Sequence, residues 1–157
     1  MTLEEALRAA LDDEYKARAT YRAVLDAFGA VRPFSNIVES EERHIQALTT
    51  LFDSHGFDVP RDPWKNRIAA PESVAAACAA GVEAEQENAA LYEKLLEAAH
   101  GHPDVEEVFH NLLSASQKNH LPAFQRGVQR ERGNGGGERT RSHGRQRRHR
   151  GGRREEQ

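Results

Sequence analysis

The residues able to do chemistry fall at helical intervals. Phe34, Ile37, Glu41, His44, Leu48 and Leu51 step by three or four residues, so an otherwise apolar stripe carries a carboxylate and an imidazole. Glu14 shares a stripe with Leu7, Leu11, Tyr21, Leu25 and Phe28, and Glu85 shares one with Val74, Cys78, Val82, Tyr92, Leu96 and Ala99. Gln117 and His120 lie on a fourth, with Phe109, Leu113 and Phe124. Residues i and i+3 lie on one face of a helix, so Glu41 and His44 can bind the same metal ion while the lone Glu of a neighbouring helix bridges to a second. Oxygen donors with one imidazole per metal suit iron or manganese better than zinc, whose structural sites favour thiolate. Burying Glu14, Glu41 and Glu85 without cations would cost several kcal/mol each. The competing arrangement is a cation-free bundle in which protonated carboxylates and histidines hydrogen-bond one another.

An internal repeat brings these positions together. Glu14 and Tyr21 are seven residues apart, as are Glu85 and Tyr92, and the two pairs are offset by 71. At an offset of 76, Ile37, Ser40, Glu41 and His44 match Leu113, Ser116, Gln117 and His120. A duplicated helical hairpin accounts for both.

Glycine and proline mark the elements that must carry the repeat. Gly29, Gly56 and Gly101 fall where long helical patterns stop, and Pro33, Pro71 and Pro103 fall where the next begin. The result is four helices at roughly 3–28, 33–55, 72–100 and 103–125, with Thr2 and Glu5 forming a capping box at the first. No stretch alternates with the period of a strand, so the fold class is all-α. Residues 57–70 (FDVPRDPWKNRIAA) are too long for a hairpin turn. Fourteen extended residues reach ~46 Å, enough to cross a helix of ~38 Å.

The stretches DEYKARATY (13–21), FSNIVESEERHIQAL (34–48), EAEQENAALY (83–92) and SQKNHLPAF (116–124) resemble the rubrerythrin and ferritin-like superfamily, most closely a branch of small prokaryotic ferritin-like domains of uncharacterised function. The resemblance implies a ferritin-like four-helix bundle, with one long crossover between helices two and three and a carboxylate-bridged metal site. Glu14, Glu41, His44, Glu85 and His120 would be the ligands of one or two iron ions, with manganese as the other suitable cation. Tyr21 and Tyr92 would hydrogen-bond ligating carboxylates from behind, or serve as core side chains with a polar tip, and Gln117 would join them behind the ligands. The superfamily's better-known members oxidise ferrous iron or reduce peroxide and dioxygen, which implies an iron-dependent oxidoreductase. Two departures bear on this. Gln117 stands where a second Glu-x-x-His motif needs Glu, and Pro122 removes a helical donor and crowds the carbonyl of Lys118, so a kink there would leave the direction of His120 open. The cysteine motif of rubredoxin is absent, so a peroxidase of this kind would lack its usual internal electron donor.

Composition bounds the rest. The 157 residues carry 22 basic and 25 acidic side chains, but residues 126–157 hold 11 Arg, 4 Glu and one apolar residue, Val128. That segment, at +7, reads as a disordered Arg/Gly-rich tail beside a domain over residues 1–125 at −10. It would bind nucleic-acid phosphates without sequence preference, or fold back on the acidic bundle. No run of ~18 apolar residues is present to span a membrane, and the acidic start Met1-Thr2-Leu3-Glu4-Glu5 does not read as a signal peptide. The single cysteine, Cys78, reads as a small buried hydrophobe in a reducing cytoplasm. Glu39, Glu42, Glu83 and Glu87 flank the stripes as a solvated face, and His100, His102 and His110 fall near the third turn, off the constellation. The expected partners are metal ions, dioxygen or peroxide, nucleic acid through the tail, and a second copy in a homodimer. The rival reading is a non-catalytic helical interaction module with a basic nucleic-acid-binding tail.

Overall fold

The computed structural model describes residues 1–137, and these form an all-helical bundle. The helices are α1 (Leu3–Phe28), α2 (Phe34–Ser54), α3 (Val74–Ala98), α4 (Pro103–Ala115) and α5 (Leu121–Gly137), with a π-helical turn, Ser116–His120, joining the last two into one long rod. Among the described residues no helix is long and apolar enough to cross a membrane. The Thr2 hydroxyl accepts from the Glu5 N–H while the Glu5 carboxylate accepts from the Thr2 N–H, which satisfies two of the orphan donors of α1. Ser73 caps α3 by accepting from Ala76. Gly29, Gly56 and Gly101 lie at positive φ just beyond α1, α2 and α3, a conformation that costs glycine little.

The chain is two helical hairpins joined by a crossover. Glu14 meets Tyr92 and Tyr21 meets Glu85, so α1 and α3 are antiparallel. Because α1 and α2 form a hairpin, α2 and α3 are parallel, and residues 55–73 must return the chain along the bundle. They do so on α1: the Tyr15 hydroxyl donates to the Pro60 carbonyl, Arg18 pairs with Asp62, and the Trp64 indole donates to Asp12.

Two apolar clusters fill the interior. One gathers Leu7, Leu11, Leu48, Phe52, Tyr92, Leu95 and Phe109; the other gathers Tyr21, Val24, Phe34, Ile37, Cys78 and Phe124. The buried polar residues Glu14, Glu41, Glu85 and His120 form a layer between them. In the second cluster the backbones come close. A Cβ placed on Gly81 of α3 would sit 2.6 Å from the Phe124 ring, and one on Gly127 of α5 would sit 2.7 Å from Cys78 Sγ. Cys78 is buried, and that burial pushes its thiol pKa up.

The fourth rod runs beyond the expected end at 125. Residues 126–137, assigned to the tail by composition, continue as helix to Gly137. Their few anchors suffice: Gly127 lets α5 close on Cys78, Val128 packs on the second cluster, and Arg130 donates to the Arg32 carbonyl. Residues 138–157, the rest of the expected disordered, nucleic-acid-binding tail, lie outside the described residues.

Candidate metal centre

The five expected ligands converge. Glu14 comes from α1, Glu41 and His44 from α2, Glu85 from α3, and His120 from the end of the π-turn. They form two donor triads, Glu14–Glu41–His44 and Glu41–Glu85–His120, and within each triad the ligand atoms lie within 4.8 Å of one another. Glu41 belongs to both. Its Oε2 is 3.4 Å from His44 Nδ1 and its Oε1 is 3.2 Å from His120 Nδ1, so its two oxygens face different histidines. The outer carboxylates complete the triads, with Glu14 Oε2 and Glu85 Oε1 each 3.4 Å from the histidine on their own side. Sequence spacing assigns the bridge to a lone Glu of a neighbouring helix. The structure instead makes the Glu of the Glu-x-x-His motif the shared carboxylate, because α2 delivers it to the midline between the rings.

Hydroxyl groups hold the carboxylates from behind. Tyr92 donates to Glu14 Oε1 at 2.7 Å, and Tyr21 donates to Glu85 Oε1 at 2.8 Å. The exchange is reciprocal because antiparallel α1 and α3 carry the same seven-residue Glu–Tyr spacing. Ser116 donates to Glu85 Oε2 at 2.7 Å. Ser40 Oγ lies 3.3 Å from His44 Nε2 and 3.1 Å from His120 Nε2, which turns both Nδ1 atoms inward.

Gln117 is not among these residues. It is exposed, and Ser116 faces Glu85 in its place. Pro122 has no N–H to offer the Lys118 carbonyl, so the regular ladder fails at that turn. The chain takes one wider turn instead, in which the Leu121 N–H donates to the Ser116 carbonyl. One extra residue is accommodated, Gln117 swings outward, and Ser116 and His120 share the inner face. His120 is therefore not deflected by Pro122. It is buried and aimed at Glu41.

The electrostatics are those of a site that wants positive charge. Burial, then the neighbouring Glu41 charge, pushes Glu14 up to about 8. Burial also opposes the charge on Glu41, but hydrogen bonds from Glu14, His120 and His44 outweigh it and hold that carboxyl down to about 2. Burial lowers the two histidines, yet the adjacent carboxylates reverse this and raise His44 to about 9 and His120 to about 10.

The surroundings sort the remaining candidates. Glu42 accepts from Arg18 and Arg22, while Glu39, Glu83 and Glu87 are exposed, so all four belong to the outer face. His100 and His110 are exposed, and His102 stacks edge-on with His55 away from the centre. Asp13 and Asn88, not singled out by spacing, hydrogen-bond one another across α1 and α3, and burial pushes Asp13 up to about 6. They line a cavity of about 60 Å³ whose wall also includes Glu41 and Glu85.

No family model matches the chain, and no curated protein matches its sequence significantly. Its fold is similar to that of a hypothetical protein from Methanococcus jannaschii DSM 2661, known from a crystal structure: 23% of residues are identical over 81% of this chain and 79% of that one, with a TM-score of 0.72. At that identity the likeness is one of fold.

Proposed function

We propose that the chain is a ferritin-like protein that binds two iron ions at the bundle midplane and uses them in ferroxidase or peroxide- and dioxygen-reducing chemistry. The observation that carries this reading is the placement of Glu41, whose two oxygens serve two histidines in two donor triads. Three carboxylates and two imidazole Nδ1 atoms form a hard, mostly oxygen donor set with no thiolate, which fits iron or manganese. Buried carboxylates without cations are costly, and here the protons on Glu14, His44 and His120 stand where cations would remove that cost. The long crossover between two hairpins supports the same family reading.

Glu14 and His44 would hold one ion, Glu85 and His120 the other, and Glu41 both. Iron supplies one-electron redox chemistry when bound. The chain's own contribution is positional. Tyr92, Tyr21 and Ser116 fix the carboxylate planes, and Ser40 fixes both rings. Asp13, with its raised pKa and its place on the small cavity, is suited to carry a proton to and from that side of the centre.

The test is iron analysis of protein purified without chelator, followed by anaerobic ferrous titration. Two ions per chain are expected. Glu41→Gln, which keeps the volume, should remove both, and His44→Ala should remove one. Undiminished iron in Glu41→Gln would overturn the assignment. Absence of iron from the unaltered protein would leave the cation-free bundle, in which imidazolium and carboxylate neutralise each other and the chain acts as an interaction module.

A further inference from the structure

A groove of about 440 Å³ lies between α2 and α5, a size suited to a small organic ligand. Arg32, Arg43, Arg126 and Arg130 line it, no acidic side chain does, and Ser40 and His120 are also part of its lining. Arg130 is anchored by donating to the Arg32 carbonyl. Among the described residues none of these four guanidinium groups has a carboxylate partner. A groove of the same volume along the crossover is different: there Arg18 is paired with Glu42 and Asp62, and Arg22 with Glu42. Four cations without carboxylate partners around one concavity, on a bundle that is otherwise acidic, give that concavity a positive local potential that favours an anion.

We infer that this groove binds a small oxyanion, a phosphate- or carboxylate-bearing molecule, with its acidic group among the arginines and its inner end against Ser40 and His120. The planar arginine fork matches both oxyanions. The concave shape favours a small molecule over a nucleic-acid backbone, because the arginines surround a cavity that reaches the interior instead of forming a stripe along the surface. Ser40 Oγ and His120 Nε2 are 3.1 Å apart, and the opposite nitrogen of the same ring faces Glu41, so a bound anion would sit one imidazole away from the centre. Anion binding stands on the groove alone. That the anion would be a substrate brought up to the metal ions rests on the metal-centre reading.

Calorimetric titration of the metal-free full chain with inorganic phosphate, and separately with succinate, tests the inference, with the His120 ring resonance followed by NMR. Saturable one-to-one binding of at least one anion is expected, the tighter of the two identifying the source of the oxyanion, with a shift of the His120 ring. Arg43→Ala/Arg126→Ala should weaken it by about tenfold or more with helical content unchanged, since both side chains are exposed. Equal affinity in the double variant would place binding outside this groove and overturn the inference. So would an unmoved His120 resonance, saturation by neither anion at about 10 mM, or displacement of the bound anion by a short DNA duplex. Because the protein is metal-free, failure here leaves iron binding untouched, and loss of iron by Glu41→Gln leaves the groove untouched.

Discussion

Tyr92 on α3 donates its hydroxyl hydrogen to Glu14 on α1 at 2.7 Å, inside a layer that excludes water from both. The bond ties the two hairpins together at the level of the candidate ligands. Tyr92→Phe keeps the ring and its edge-on contact with Phe109, whose centroid is 5.6 Å away, and removes only the donor. The buried Glu14 oxygen is then unsatisfied, at a cost of about 1–3 kcal/mol in the metal-free protein. Loss of a partner behind a ligand also weakens metal binding, by about 10–100-fold. Urea unfolding of the metal-free variant and a ferrous titration measure the two effects separately. An unchanged midpoint together with unchanged iron affinity would contradict the role given to this bond.

Ser116 is expected to be sensitive to substitution and Gln117 insensitive. Ser116→Ala deletes the donor to Glu85 Oε2, with an expected loss of about 1–3 kcal/mol and weaker binding at the His120 side. Gln117→Glu, which would complete a second Glu-x-x-His motif if the helix were regular, should leave iron stoichiometry unchanged because the side chain points to solvent. A gain of iron on Gln117→Glu would mean that the fourth rod lacks the π-turn in solution.

The contrast marks where sequence periodicity stops being informative. Glu14, Glu41, His44 and Glu85 lie on unbroken α-helices, where steps of three and four translate directly into a shared face. Their convergence was legible for that reason, and the seven-residue Glu–Tyr repeat carried the two tyrosines with it. On the fourth rod the wider turn adds a residue that a constant period does not represent. The inward set is Phe109, Leu112, Ser116 and His120, not Phe109, Leu113, Gln117 and His120. The signal was present in Pro122, whose missing N–H disrupts the ladder one turn earlier, and in the repeat itself, which set Ser116 opposite Ser40. The end of the helix was illegible for another reason: residues 126–137 are anchored through a glycine, one valine and an arginine, and composition undervalues contacts made by a residue with no side chain.

Close approach of α3 and α5 gives a prediction about stability alone. Gly81→Ala places a methyl group 2.6 Å from the Phe124 ring, which is itself held by Tyr21 and Phe34 at centroid distances of 5.4 and 5.2 Å. The ring has no free direction in which to yield, so the helices must separate, at a cost of about 1–3 kcal/mol. Gly127→Ala meets the buried Cys78 Sγ at 2.7 Å and should behave alike, with relief from Cys78→Ala in the double variant. Thermal unfolding of Gly81→Ala, Gly127→Ala, Cys78→Ala and the double variant measures this. Additive effects for Gly127→Ala and Cys78→Ala would rule out the contact.

Protonation of the centre sets how stability and metal affinity depend on pH, and the two should run in opposite directions. In the fold Glu14, His44 and His120 hold protons up to about 8, 9 and 10, well above their ordinary values of 4.5 and 6.5. The metal-free native state therefore binds more protons than the unfolded chain across that interval, and its stability falls as pH rises. The histidine contribution is complete below about 6.5 and is lost as pH climbs through 9 to 10; the Glu14 contribution fades from about 4.5 to 8. Glu41, held near 2, acts the other way and withdraws its contribution only below about 4.5. A metal ion needs these same groups deprotonated, so ferrous binding at neutral pH should expel about three protons per filled centre and tighten as pH rises. Anaerobic titration in weakly buffered solution with a pH indicator counts the protons, and urea midpoints of the metal-free protein at several pH values give the opposing trend. Iron binding without proton release, or with an affinity that declines between about pH 6 and 8, would show that the ion does not occupy the cluster of Glu14, Glu41, His44, Glu85 and His120.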